Sequence, residues 1–136
     1  MTVISRHRER QAVFQILFAT AKEVPQEDQL DGLYQMVLGD EEFDSFLPQF
    51  INGVLGSQRE LDQAISQHLV DGWSIKRISR ADLVILRMAV YELLYMPEIP
   101  YKVAIDEAIE LAKEFANPDD AKFVNGVLKH FARVEK

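Results

Sequence analysis

The sequence predicts an all-α protein, for three reasons. In Asp82–Tyr95, DLVILRMAVYELLY, the residues Leu83, Val84, Ile85, Leu86, Met88, Ala89, Val90, Leu93 and Leu94 leave almost no polar side on a helix. A helix apolar all round is a buried one, so the rest of the chain is expected to coat it. The flanking segments repeat apolar residues at spacings of three and four, the period of a helix with one buried face. No segment alternates apolar and polar residues between hairpin turns, so no strand is expected. A chain of 136 residues is about the length of one domain, with room for two lobes.

Ser5 is the expected N-cap of a first helix over 6–22. Val13, Phe14, Ile16, Leu17, Phe18 and Ala21 form its inner face, and Arg8, Gln11, Gln15 and Lys22 its outer one. Pro25 and the acids Glu27, Asp28 and Asp31 open a second helix over 26–38, with Leu30, Leu33, Tyr34 and Val37 inward and Gly39 at its end. After the acidic turn Asp40–Asp44, a long third helix is expected over 45–69, with Pro48 tolerated in its first turn. Gly53 and Gly56 inside it each cost up to ~1 kcal/mol, which close helix–helix approach would offset. Asp71–Gly72 is the clearest internal boundary. Trp73, Ile75 and Ile78 make one or two helical turns, with Trp73 read as a packed hinge residue rather than a platform for bases. The central helix follows over 82–95, with Asp82 as its N-cap or first-turn carboxylate and Pro97 as its stop. Residues 102–115 form an amphipathic helix. Asn117–Pro118 breaks the chain, and Asp119 or Asp120 caps a last helix to about 133.

The central helix carries two interior charges, Arg87 and Glu92, and each needs a partner or an exit to water. The 102–115 helix, through Glu107, is the expected partner of Arg87.

The formal net charge of −7 argues against coating nucleic acid by bulk attraction, but the charge is unevenly spread. Residues 1–22 hold four basic groups and one acid; residues 23–72 hold one basic group and eleven acids; residues 73–136 hold ten of each. Arg6, Arg8 and Arg10 crowd the start of the first helix, where cations oppose the dipole. They are either a solubilising end or an anion site, in which guanidinium groups and free N–H groups jointly favour a phosphate.

Catalytic chemistry is not expected. No cysteine is present, and His7, His68 and His130 lie far apart on different helices. The carboxylates Asp106, Glu107, Glu110 and Glu114 have the spacing of a solvated helix face, interleaved with Lys102 and Lys113. There is no phosphate-binding glycine loop with a lysine, and neither metal nor cofactor is expected. The N-terminus lacks the apolar run of a signal peptide, no segment suits a membrane span, and a cytoplasmic protein is expected.

Several motifs then resemble one family in order: Trp73, Arg80-Ala81-Asp82, the run ILRMAVYEL over 85–93, IPYKVAIDEAIELAK over 99–113, and KFVNGVL over 122–128. With the Arg-rich start and AVFQILF over 12–18, these resemble the transcription antitermination factor NusB family over nearly the whole chain, least strongly over 23–60. The resemblance implies a non-enzymatic, two-lobed helical bundle of about seven helices, three in a lobe of about 1–70 and four in a lobe of about 71–136. It implies binding of boxA-type single-stranded RNA, especially in ribosomal RNA transcripts, together with NusE, a small-subunit ribosomal protein. Other Nus factors and RNA polymerase join the larger complex, and premature termination is suppressed; a homodimer is a further possibility. Carried onto this chain, the RNA-binding residues are Arg6, Arg8, Arg10, Gln15, Asp119, Lys122 and Phe123, and Asp82 marks the NusE side. Two departures stand out: His7 takes the place of a further arginine, beside the acidic Glu9, and Asp106 replaces an asparagine.

Phe123 has two readings from its position, core packing one turn before Val127 or stacking on an unpaired base. Competing functions remain on the residues alone: a helical adaptor that ignores RNA, or an RNA-guiding module like that joined to ribosomal RNA methyltransferases. No cofactor-binding segment follows in this sequence, which ranks the latter lower. A hydrolase ranks last for want of a nucleophile and base.

Overall fold

A computed structural model describes residues 2–23 and 25–131, and among these no strand occurs. Seven α-helices follow in order: α1 (Arg6–Ala19), α2 (Glu27–Leu38), α3 (Phe46–Gly56), α4 (Gln58–Ser66), α5 (Arg80–Tyr95), α6 (Tyr101–Phe115) and α7 (Pro118–Leu128). A 3-10 turn, Ile75–Arg77, precedes α5. The expected end of the last helix at about 133 lies outside the described residues. No described helix is long and apolar enough to cross a membrane.

The buried central helix is α5, packed against α1, α3, α4, α6 and α7. Val84, Ile85, Leu86, Met88, Ala89, Val90 and Leu93 are all buried, each large aliphatic contributing about 1.5–3 kcal/mol by leaving water. The helix begins at Arg80, two residues before the expected start. Ser79 is its N-cap, its Oγ accepting from the Asp82 backbone N–H at 3.2 Å, so Asp82 is the first-turn acid.

Its two interior charges emerge about 140° apart around the helix, because five residues separate them. They therefore meet different neighbours. Arg87 does not pair with Glu107. Its Nε and Nη2 donate to Asp62 of α4 at 2.8 and 2.9 Å. Glu92 points to the other side, toward α1, and receives Arg10. Glu107 is occupied from that side too, by His7.

The long helix expected over 45–69 is two helices. Ser57, at φ −118° and ψ 14°, breaks it immediately after Gly56. The helices thus divide four and three about Asp71–Gly72, rather than three and four. Gly56 has open space where a Cβ would sit, so it marks the break and not a contact. Gly53 does provide a close approach: a Cβ there would fall onto the Tyr91 ring and hydroxyl. The expected cap of α7 also shifts. Asn117 holds it, its Oδ1 accepting from the Asp120 N–H at 3.1 Å, with Pro118 as the first helical residue.

These two environments predict opposite outcomes. Gly53→Ala should lower stability by about 1–3 kcal/mol through the collision with Tyr91. Gly126→Ala, in α7 with nothing within 4 Å of its Cβ position, should raise it by about 0.5–1 kcal/mol. Urea unfolding of the two variants would check both signs.

Candidate nucleic-acid interface

The start of α1 is built as expected at its first residue. Ser5 caps it, its Oγ accepting from the Arg8 N–H at 3.0 Å. The three arginines that follow have three different fates. Arg6 Nη1 donates to both Asp44 oxygens, at 2.9 and 2.7 Å, and to Glu9 Oε1 at 2.7 Å, with its guanidinium over the Phe46 ring. Its side chain stays 53% exposed. Arg8 Nε and Nη2 fork onto Glu41 at 2.9 and 2.7 Å, and Nη2 also donates to the Val37 carbonyl at 3.1 Å.

Arg10 is different in kind. It is buried, and its Nε and Nη2 donate to the buried Glu92 at 2.9 Å each. Burial pushes the Glu92 carboxyl up, and Arg10 opposes that shift. Two residues on from Arg8, Arg10 lies about 200° away around the helix, on the inner stripe with Val13, Phe14 and Leu17. It is an internal tie between α1 and α5, and not a group on the surface as the arginine-rich pattern implied. Glu9 is fully buried as well: Oε1 takes Arg6 and Oε2 accepts the Asp44 N–H at 3.3 Å.

His7 reaches α6. Nδ1 lies 2.8 Å from Glu107 Oε1 and Nε2 lies 3.2 Å from Glu114 Oε1. Its pKa is raised, chiefly by the hydrogen bond to Glu107. Gln11 Nε2 donates to Glu114 at 2.8 Å, and Phe14 stacks on Phe115 with ring centroids 4.5 Å apart. The carboxyl end of α6 thus lies along α1, and α7 begins at Pro118, just past Phe115. Gln15, Asp119 and Lys122 are exposed.

Phe123 is half-buried. It packs against the core and lies 5.6 Å, centroid to centroid, from Trp73, so neither reading of it is complete alone. Trp73 is not the packed hinge the sequence suggested; it is 46% exposed. The Arg77 guanidinium sits 5.8 Å from the Trp73 ring centroid, held by donation to the Gly72 carbonyl at 2.7 Å. Lys76, Arg77 and Lys122 are exposed, and none is within ion-pair distance of a carboxylate among the described residues. Arg77 thus brings unpaired positive charge to the Trp73–Phe123 pair, and Lys122 adjoins Phe123 in sequence, while the arginines of α1 are each matched by an acid. No sequence signal joins Trp73 to Phe123, fifty positions apart; the tertiary fold brings the two rings together.

Asp82, expected on a partner surface, is only 4% exposed. Among the described residues its Oδ1 has no hydrogen-bond partner. Burial, and then the neighbouring Asp120 carboxylate, push its pKa up to about 7. The group exposed at this corner is Arg80, whose guanidinium covers the half-open Phe18 ring at 5.2 Å.

With this geometry in place, comparison with known proteins is informative. A family model described as the NusB family matches residues 7–133. The chain belongs to the NusB family. Transcription antitermination protein NusB of Levilactobacillus brevis is 46% identical over 132 residues, covering 93% of this chain and 92% of that protein. The protein of the same description from Lacticaseibacillus casei is 44% identical over 128 residues, 93% of each chain. The solved structure of T. maritima NusB superposes with a TM-score of 0.82 at 36% identity, covering 97% of this chain and 93% of that one. A structure of antitermination factors NusB and NusE with double-stranded RNA shares the fold, at a TM-score of 0.79 and 22% identity over 95% of this chain and 96% of that one.

Two tests follow from the ion pairs. Arg10→Ala should cost about 3–5 kcal/mol, since it strands a buried carboxylate. Arg8→Ala should cost within ~1 kcal/mol, because its pair is at the surface. Denaturant unfolding of both variants would show whether the gap exists. A third test concerns pH. Asp82 binds its proton more tightly when folded, so its contribution is full below its ordinary carboxylate range and is lost as pH rises through about 7. Asp82→Asn should therefore raise the melting temperature relative to the parent more at pH 8 than at pH 5. An equal shift at both would show that the carboxyl does not titrate there.

Proposed function

We propose that this chain is an RNA-binding transcription antitermination factor and not an enzyme. It would bind boxA-type single-stranded RNA together with NusE and suppress premature termination, especially in ribosomal RNA transcription. Family membership supports the activity, and curated relatives carry the description of transcription antitermination proteins. The RNA surface rests on one observation of this molecule: the exposed Trp73 ring beside the half-buried Phe123, with the unpaired cation Arg77 at Trp73 and Lys122 next to Phe123 in sequence. Flat rings that offer a π-face next to cations suit a strand whose bases are unpaired.

In this reading Lys122 and Arg77 meet phosphates while Trp73 and Phe123 stack with bases. Gln15 and the arginines Arg6 and Arg8 extend the contact along α1, and Asp119 borders it. Arg10 holds α1 in place from beneath. The NusE side is proposed at the Phe18–Arg80 corner, with the buried Asp82 supporting it. The two lobes, about 1–70 and 71–136, act as one unit. Association with other Nus factors and RNA polymerase in the cytoplasm belongs to the same proposal. A helical adaptor without RNA binding is the second reading. It is favoured by one fact, that every arginine in the first turns of α1 already has a carboxylate of its own.

Titration of a labelled boxA-type oligonucleotide, with and without purified NusE, over a range of salt separates the two. Trp73→Ala should weaken binding by about 1–3 kcal/mol through lost stacking. Lys122→Ala should weaken it and flatten the slope of log affinity against log salt by ~0.7, one phosphate contact on a single strand. If both variants bind as the parent does, the surface is elsewhere; if the parent ignores RNA even with NusE, the adaptor reading stands.

A further inference from the structure

We infer that the acidic connector between α2 and α3 is a built-in competitor for nucleic-acid phosphate, with Glu41 as its releasable group. The inference rests on the RNA-binding reading above and concerns how that surface is held when empty. Four of the five residues Asp40–Asp44 are acidic, Asp40, Glu41, Glu42 and Asp44. The connector is fastened across the start of α1 from both sides. The Ile4 N–H donates to the Glu42 carbonyl at 2.9 Å, and the Asp44 N–H donates to the buried Glu9.

Arg8 presents one planar edge, Nε and Nη2, to the two oxygens of Glu41 at 2.9 and 2.7 Å. That edge is the one a guanidinium offers to two oxygens of a phosphate, so a carboxylate there stands in for the phosphate geometry. The two oxyanions cannot share it. The outer face of α1, which also carries Gln11 and Gln15, is thus neutralised by the chain itself.

The two connector acids that pair with arginines, Glu41 and Asp44, are not equivalent. Asp44 also accepts the Phe46 N–H at 3.1 Å, at the start of α3, so it serves the fold. Among the described residues Glu41 makes no side-chain hydrogen bond except to Arg8, and its side chain is 37% exposed. Its release leaves no buried group unpaired. A surface pair of this kind exchanges readily for another anion, unlike Arg10–Glu92, whose side chains are 5% and 3% exposed. RNA binding at Arg8 then proceeds as an exchange, with the phosphate entering as Glu41 swings into water.

The test uses the full chain and a labelled boxA-type oligonucleotide at fixed low salt, with the parent, Glu41→Gln, Arg8→Ala and the double variant. Glu41→Gln should tighten binding about two- to fivefold, the size of a surface pair no longer competing. In the Arg8→Ala background the same change should give no gain. An equal gain in both backgrounds would mean a general loss of negative charge and overturns the inference, as does the absence of any gain. Lys122→Ala is the control for the parent reading. If it loses affinity while Glu41→Gln gains none, only the connector inference fails; if the parent chain binds no RNA, both fail. Melting temperatures of the Glu41→Gln and parent chains should agree, which keeps a folding defect from posing as a binding effect.

Discussion

The ion pair on which the arrangement depends is Arg10–Glu92. It joins the first helix to the buried central one inside the core, where an unpaired charge is heavily penalised. On the far side of the same helix, Arg87 and Asp62 do the corresponding work with α4. Close apolar packing already resists rotation of α5, but it is non-directional. Two charge-assisted forks on different sides add direction, because each has one satisfactory geometry. The helix that every other helix except α2 packs against is therefore positioned by its two least apolar residues.

This constraint shapes the candidate interface. With Arg10 turned inward, Arg8 lies on the outer face of α1, Arg6 shares the side of Arg10 but sits at the exposed first residue of the helix, and His7 falls against Glu107 and Glu114 of α6. The first turns of α1 then carry dense but compensated charge. The cations outside any ion pair among the described residues include Arg77, beside the Trp73 ring, and Lys122, next to Phe123 in sequence. An acidic protein with a net charge of −7 can in this way keep a small cationic, aromatic surface while the arginines at the start of α1 are internally matched. The division of labour is local: matched pairs hold the helices, and unmatched cations face solvent.

Much of this was legible along the chain. The helical segments, the Ser5 cap, the Gly39 stop and the buried run after Asp82 all follow from signals within a few residues of one another. Gly53 also read correctly as a site of close approach. Arg10 illustrates a signal that was present and overridden. Its spacing to Val13, Phe14 and Leu17 places it on the apolar stripe, but the run of alternating arginines drew it into the basic group. The break after Gly56 was missed because an apolar stripe at helical spacing continues through it, Leu61 and Ile65 following Val54, and periodicity does not report a change in axis direction.

Local covalent geometry and the burial of apolar side chains are short-range properties, and the sequence by itself determined what depends on them: an all-helical chain, its caps, and which faces turn inward. Which acid meets which base depends on how helices distant in sequence are rotated against one another, and only the tertiary structure decided that. It gave Arg87 to Asp62 instead of Glu107, hid Arg10 and Asp82, and brought Trp73 to Phe123. The physical reason is that a charged side chain reaches only a few ångströms, so its partner is chosen by packing and not by position along the chain.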